Sequence, residues 1–334
     1  MPKRRKRVFI LGGGAALGAH HVGALKFLEE RGIVPDAMIG SSIGVINACA
    51  YASGGVECLE EAWRSFSSLP RIFSPSLRHN PLVGLSLFSM DRLTTAVERW
   101  VDFPKIFESP LELEFVLLNL SRGRGEVYGQ RDCADWEELR TVSRAGYAIP
   151  LLFPPVRFRN DWFVDGGFAW NVPLDRAVDL GATEIYLLAP IPSELPYRRG
   201  FRTFVGFTQR LVDVMWRTIG NMGYLYAPME QGRFHGIPVV VIEPGEQWSG
   251  FGPLTVFNAH PRKNRNLMAA GYRDAKRALA VRRRLEESAR ALRRARRAMR
   301  PPEGGPSAVQ GTAGDSPPAG KVVALRIGEP RGES

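Results

Sequence analysis

Twice within its first fifty-five residues the chain runs a short apolar stretch into a glycine-bearing turn and then into a helical pattern. Val8-Phe9-Ile10-Leu11 leads into Gly12-Gly13-Gly14, and Ala37-Met38-Ile39 leads into Gly40-Ser41-Ser42-Ile43-Gly44. A continuous apolar run of this length, without alternation, is the mark of a strand buried on both faces, as in a parallel sheet. Val22, Leu25, Phe27 and Leu28 then give the first helix, over about 18–31, with Gly32 as its stop. Ile43 to Ala52 reads as a second, buried helix closed by Gly54-Gly55. Strand, glycine turn, helix, strand, tight turn, helix is the order of an α/β fold with a mostly parallel sheet.

The remaining chain repeats the theme more loosely. Buried strands are expected at 115–118, 185–188 and 239–242, and a short hairpin over 158–164 turning at Asn160-Asp161. Helices are expected over 134–147, 172–180, 201–226 and 264–300, and loops with short helices over 66–90, where Pro70, Pro75 and Pro81 interrupt an apolar stretch. From Pro301 the chain is rich in Pro, Gly and Ser without periodicity, which predicts a disordered tail.

Charge divides the same way. The formal net charge is +11, of which residues 1–7 carry five positives, residues 281–300 a net of +7 and the tail 301–334 a net of −1, so residues 8–280 are neutral. The expected organisation is therefore a basic arm at 1–7, one globular domain at 8–280, a basic helical extension at 281–300 and the tail at 301–334. Three cysteines, Cys49, Cys58 and Cys133, have neither disulfide-framework nor zinc spacing and read as free thiols. The apolar run after the basic arm ends at Leu11, too short for a signal core, and no segment is long enough to span a bilayer. A cytoplasmic protein, peripheral at membranes, is the expectation. An Arg run without aromatic residues does not favour nucleic acid.

Three local patterns carry chemistry. Gly40-Ser41-Ser42-Ile43-Gly44 is a G-x-S-x-G between strand and helix, the context of a nucleophile elbow, and spacing selects Ser42. The N-terminus of the following helix suits a developing oxyanion. Gly12 to Gly18 is a glycine loop that admits two uses: a pyrophosphate cradle, or bare N–H groups facing a carbonyl oxygen. G-x-G-x-x-G cannot be laid on it, because the sixth position from Gly12 is Leu17. Asp165-Gly166-Gly167 puts a carboxylate on a tight turn. Among the five histidines, His235 and His260 follow Asp165 in the order a Ser…Asp…His triad would need, though neither sits in a strand-end loop motif.

Taken together and in order, the stretches GGGAALGAHHVGALKFLEERGIVPDAMIGSSIGVINACAYASGG, AIPLLFPPVRFRNDWFVDGGFAWNVPLDRAVDLGATEIYLL and NLMAAGYRDAKRAL resemble the patatin-like phospholipases. The resemblance covers roughly residues 8–280. It implies a three-layer α/β fold with helices flanking a mostly parallel sheet, and cleavage of lipid acyl esters by a Ser–Asp dyad through an acyl-enzyme. Ser42 would be the nucleophile and Asp165 the base. Amides around Gly13, Gly14 and Ala15 would line the oxyanion hole, with Gly12, Gly18, Gly40, Gly44, Gly166 and Gly167 supporting the motifs. No cofactor, metal or calcium dependence is implied. The expected partners are a lipid ester and an anionic membrane surface met by the basic ends. One departure is Leu17, where many members carry Arg or Lys, which opens neutral esters as substrates. Two other readings stand beside the hydrolase: a lipid-binding protein that kept the fold without turnover, and a nucleotide-binding protein using the glycine loop.

Overall fold

The computed structural model describes residues 4–66, 74–75, 85–197, 199–245 and 259–298. Contacts divide the chain into a compact unit, Met1–Ser288, and Ala289–Ser334, of which residues 289–298 are described and helical. The disorder expected at 301–334 and much of the 66–90 stretch lie outside the described residues.

Strand β1 (Arg7–Leu11) is the centre of the sheet. It pairs in parallel with β2 (Ala37–Gly40) on one side and with Glu184–Leu188 on the other. In chain order the further strands are β3 (Glu112–Asn119), β4 (Arg124–Gly129), β5 (Val156–Phe158), β6 (Asp161–Asp165), β7 (Glu184–Leu188), β8 (Met229–Glu230), β9 (Arg233–Phe234) and β10 (Ile237–Ile242). The ten-stranded sheet runs β8-β9-β10-β7-β1-β2-β3-β6-β5, with β4 also on β3. The central five, β10 to β3, are parallel, and antiparallel pairs lie toward the margins.

The apolar runs are continuous because both faces of the sheet are covered. Phe9 and Leu11 point into a cluster with Val22, Leu25, Val45, Cys49 and Leu139, while Val8 and Ile10 point into a second cluster with Leu174 and Ala177. The first cluster is roofed by α1 (Ala19–Glu29), α2 (Ile43–Ser65), α5 (Trp136–Gly146) and α9 (Pro261–Ala298); the second lies under α7 (Leu174–Asp179). Between these run α3 (Asp91–Glu98), α4 (Phe103–Phe107), the single-turn α6 (Gly167–Trp170) and α8 (Phe204–Leu225). The expected three-layer α/β architecture is therefore the one observed. Helices α1 and α9 cross with backbones touching: a Cβ on Gly23 would lie 1.7 Å from the Met268 carbonyl oxygen, and one on Gly271 would lie 1.9 Å from that of His20.

Several expectations need correction. Gly54-Gly55 kinks α2 rather than ending it: both have non-helical dihedrals, yet the helix resumes and reaches Ser65. The tertiary contacts of Val56, Leu59 and Trp63, all buried, outweigh the local break. The first helix opens with a 3-10 turn, Ala15–Gly18. Strand β4 was not anticipated, because its half-buried, Gly- and Glu-bearing sequence lacks an apolar run. The hairpin is as expected, with Phe158 opposite Asp161.

The basic arm is less free than its composition implies. Arg5 and Arg7 both pair with Glu184, Lys6 pairs with Glu112, and Arg282 from α9 also reaches Glu184. These contacts gather at the N-terminal ends of the parallel strands. The described part of the molecule has no helix long and apolar enough to cross a membrane.

Candidate active site

At the opposite, C-terminal ends of β1 and β2 the chain makes its two glycine turns side by side. Clefts at this edge of a parallel sheet are where α/β proteins bind ligands. Ser42 occupies the turn from β2 to α2 with φ 54° and ψ −124°, a conformation costly for a non-glycine residue. Such strain is expected of a serine held proud of a strand-to-helix turn. The turn is possible because its neighbours have no side chains: a methyl at Gly44 would sit 2.0 Å from the Leu11 carbonyl oxygen, and one at Gly40 2.7 Å from the Val45 nitrogen. Ser41, by contrast, is buried and donates its backbone N–H to the Leu11 carbonyl.

The loop from β1 comes down on this turn. A Cβ on Gly13 would lie 2.7 Å from Cβ of Ser42, and one on Gly18 2.5 Å from Ile43. Ala15 opens the 3-10 turn at φ 48°. The first N–H groups of a helical turn have no acceptor within it. Among the described residues no backbone acceptor meets those of Gly14 and Ala15. The Gly13 N–H is different: it donates to Oδ1 of Asn171 at 2.7 Å. Gly13, expected to line an oxyanion hole with Gly14 and Ala15, does line the cavity described below, with its amide engaged by a side chain.

Asp165 ends β6 and is 1% exposed. Antiparallel pairing of β6 with β3 sets Asp165 opposite Leu117, and Gly166 allows this closeness, since a Cβ there would stand 2.5 Å from the Val116 backbone. Oδ1 of Asp165 accepts the Gly167 N–H at 2.8 Å, while Oδ2 is buried with no such fixed donor. Burial lifts the carboxyl to about 6, against the opposing pull of the Ser42 hydroxyl and the Gly167 amide.

Ser42, Asp165, Gly13, Gly14, Ala15 and Gly167 therefore line one cavity, together with Ile149, Phe168, Asn171, Ile191, Trp216, Ile219 and Gly220. Gly12, Gly18, Gly40, Gly44 and Gly166 stay outside it. Most of these shape the turns by close packing. A Cβ on Gly12 would meet neighbours only at 3.5 Å, an ordinary contact. The free space is about 20 Å³, enough for about one water molecule. Among the described residues no cation lines it, and Leu17 is fully buried.

Asn171 was not singled out from the sequence. It is 4% exposed, and its Nδ2 donates to the Gly220 carbonyl at 2.7 Å, so one amide joins the glycine loop to α8. The only sequence signal was its place six residues after Asp165, before Val172-Pro173. The histidines stand elsewhere. His21, fully buried, bridges the Leu188 carbonyl and Asn47, and burial together with neighbouring His20 depresses it to about 3, which keeps it neutral. His20 bonds Asp274. His235 lies exposed near Asp175, and Nδ1 of His260 accepts from the Arg262 amide. Among the described residues no histidine lines the cavity. His79 lies outside them. The cysteines are free, with Cys49 buried and the other two half-buried.

Fold and site together define a three-layer α/β protein built around a serine on a strand-to-helix turn, with a buried aspartate and a glycine loop facing it. The chain belongs to the patatin-like phospholipase family, whose sequence pattern matches residues 9–178. Among its relatives are the Patatin-like phospholipase domain-containing protein ZK370.4 of Caenorhabditis elegans, 31% identical over 52% of this chain, and the Patatin-like phospholipase domain-containing protein 6 of Homo sapiens, 28% identical over 53%. Lysophospholipase nte1 of Aspergillus fumigatus is 30% identical over 53% of this chain. The chain spans only 13%, 13% and 11% of the lengths of these three relatives. The crystal structure of VipD from Legionella pneumophila superposes with a TM-score of 0.46 at 14% identity, covering 83% of this chain and 67% of that one.

Proposed function

We propose that the chain is a lipid acyl hydrolase in which Ser42 attacks the ester carbonyl and Asp165 takes its proton. The observation that carries this reading is the shared cavity: a strained serine and a buried carboxylate raised toward neutrality face one another beside peptide N–H groups. In the first half-reaction the Ser42 proton passes to Asp165 as the Oγ–carbon bond forms. The negative charge on the carbonyl oxygen is met by the N–H groups of Gly14 and Ala15 and by the N-terminus of α2. Asp165 returns the proton to the leaving alkoxide as the ester C–O bond breaks, giving an alcohol and an acyl-serine. Water then adds to the acyl-serine, losing a proton to Asp165, and as the Oγ–carbon bond breaks to release the fatty acid Asp165 returns that proton to Oγ, restoring Ser42 and the carboxylate. Asn171 holds Gly13, and so fixes the loop that presents the other donors.

The absence of a cation among the described residues of the cavity lining, with Leu17 packed into the core, favours substrates whose reacting ester needs no phosphate contact beside it. A lysophospholipid with its head group outside the cavity, or a neutral ester, fits this better than recognition through a buried phosphate. The hydrolytic domain is taken as residues 8–280, followed by the basic extension.

A lipid panel of phospholipid, lysophospholipid and acylglycerol, run on intact protein, Ser42→Ala and Asp165→Asn, tests the reading. Fatty-acid release by the intact chain alone, with covalent labelling of Ser42 by a phosphonate ester, is the expected result. Full turnover by Ser42→Ala would refute it.

A further inference from the structure

Helix α8 is amphipathic, but its apolar stripe points away from the body. Phe204, Phe207, Leu211, Val214, Met215 and Met222 recur at helical spacing and are all exposed, Phe204 to 81% and Met215 to 52%. A surface helix normally turns such a stripe to the core, and an exposed apolar patch of this extent marks an interaction site. The other side of the same helix supplies Trp216, Ile219 and Gly220 to the cavity of Ser42 and Asp165. Trp216 packs on Phe168, itself 42% exposed. The apolar surface is therefore continuous with the candidate site.

Charge selects the occupant. Between residues 195 and 226 the only acid is Asp213, and it is buried, whereas Arg199 and Arg202 are exposed beside the stripe. Exposed apolar side chains flanked by exposed arginines suit an interface of acyl chains under phosphate head groups, with Glu194 the nearest exposed acid before the helix. The ordered cations at the two ends of the domain do not serve the same purpose. Arg5, Lys6, Arg7 and Arg282 are ion-paired at the far edge of the sheet, about 15 Å along β1 from the glycine loop. A molecule resting on that edge would hold its cavity away from the lipid.

We infer that the exposed face of α8 is the surface by which the chain docks on a phospholipid interface, and that α8 is also the cover of the cavity. The space around Ser42 admits about one water, so an acyl chain enters only when Trp216 is withdrawn. Hydrogen bonds from Arg217 to the Ser193 carbonyl, from Asn221 to the Ile191 and Pro192 carbonyls, and from Asn171 to the Gly220 carbonyl hold the C-terminal half of the helix. Seating the outward stripe in acyl chains supplies the force that tilts the helix about these anchors. The gating role rests on the hydrolase reading; the docking role does not.

The test uses the full chain and a triple variant, Phe204→Ser, Leu211→Ser and Met215→Ser, whose side chains leave the cavity lining and the fold untouched. Co-sedimentation with mixed phosphatidylcholine–phosphatidylglycerol vesicles is expected to fall by about tenfold or more in the variant. Hydrolysis of a water-soluble short-chain aryl ester, which needs only the opening the helix makes without a membrane, is expected to stay within about twofold, since the three replaced side chains neither line the cavity nor make the hydrogen bonds that hold the helix. Equal vesicle binding by both proteins, or no binding by the wild type, overturns the inference. So does a wild type that elutes as a dimer and a variant that elutes as a monomer, which would assign the stripe to a second copy. Vesicle binding that depends on the stripe in a protein that hydrolyses no ester leaves docking intact and removes the hydrolase reading instead.

Discussion

Replacing Asp165 by Asn should stabilise the protein at neutral pH while abolishing turnover. The carboxyl is carried from 3.8 to about 6, chiefly by burial. Keeping it ionised in the folded state therefore costs about 3 kcal/mol, at 1.36 kcal/mol for each pH unit. The sign follows from proton binding. Below about 4 the carboxyl is protonated in both folded and unfolded chains, and no penalty exists. Between about 4 and 6 the folded chain holds the proton more tightly, so stability is lost as pH rises; above 6 the full cost is present. An amide at this position can still accept the Gly167 N–H and carries no charge. Urea unfolding of both proteins at several pH values isolates the effect. The stability advantage of Asp165→Asn should grow by up to about 3 kcal/mol from pH 4 to pH 7.5, with most of the change below pH 6.5. Titrations elsewhere in the molecule cancel in the difference. A difference that stays flat across this window, or an Asn variant less stable at pH 7.5, would show that the carboxyl is not strained by burial and would remove the basis for its role as a base.

The same group sets the rate profile: kcat/KM on a soluble ester should rise with pH through an apparent pKa near 6 and level off above it, because only the ionised carboxylate accepts the serine proton. Ser42→Gly should relieve the positive φ and raise stability by about 1 kcal/mol while eliminating acylation, read by calorimetry and by loss of phosphonate labelling. Asn171→Ala should leave the buried Gly13 N–H unpaired, lowering stability by about 1–3 kcal/mol and slowing turnover more than tenfold; kcat should fall more than KM changes, as expected of a residue that positions the loop. Gly23→Ala should lower the melting temperature by several degrees, since its methyl would overlap the Met268 carbonyl of α9.

Much of this arrangement was legible before the coordinates. The apolar runs of β1, β2, β7 and β10 are unambiguous because a strand covered on both faces cannot alternate. The turns at Gly12–Gly14 and Gly40–Gly44 were placed by their glycines, where a Cβ would press on side chains at Gly13 and Gly14 and on backbone at Gly40 and Gly44. Less was legible where tertiary packing decides. Nothing local says that α2 survives Gly54-Gly55, because the contacts that hold its second half come from residues such as Val97 and Val101. The commitment of the Gly13 amide depends on a side chain 158 residues away. The sequence of α8 leaves open whether its stripe faces a core or an interface, since a helical apolar period is the same in both. The basic arm misled in the other direction: its charges were counted, but Glu184 and Glu112, their partners, lie in distant strands.

The carbonyl of Leu188 has a consequence for how the chain can be cut. It accepts the N–H of Gly12, at the root of the glycine loop, and it also meets the ring of His21. Leu188 belongs to the strand beside β1 and lies ten residues past the segment shared with the family pattern. A fragment ending at residue 178 would leave β1 with an open hydrogen-bonding edge and two polar groups facing solvent where the loop begins. The recurring stretch of sequence is thus not a self-sufficient folding unit. The part that does not recur in the pattern supplies the wall against which the loop is built, and expression boundaries should be drawn to include it.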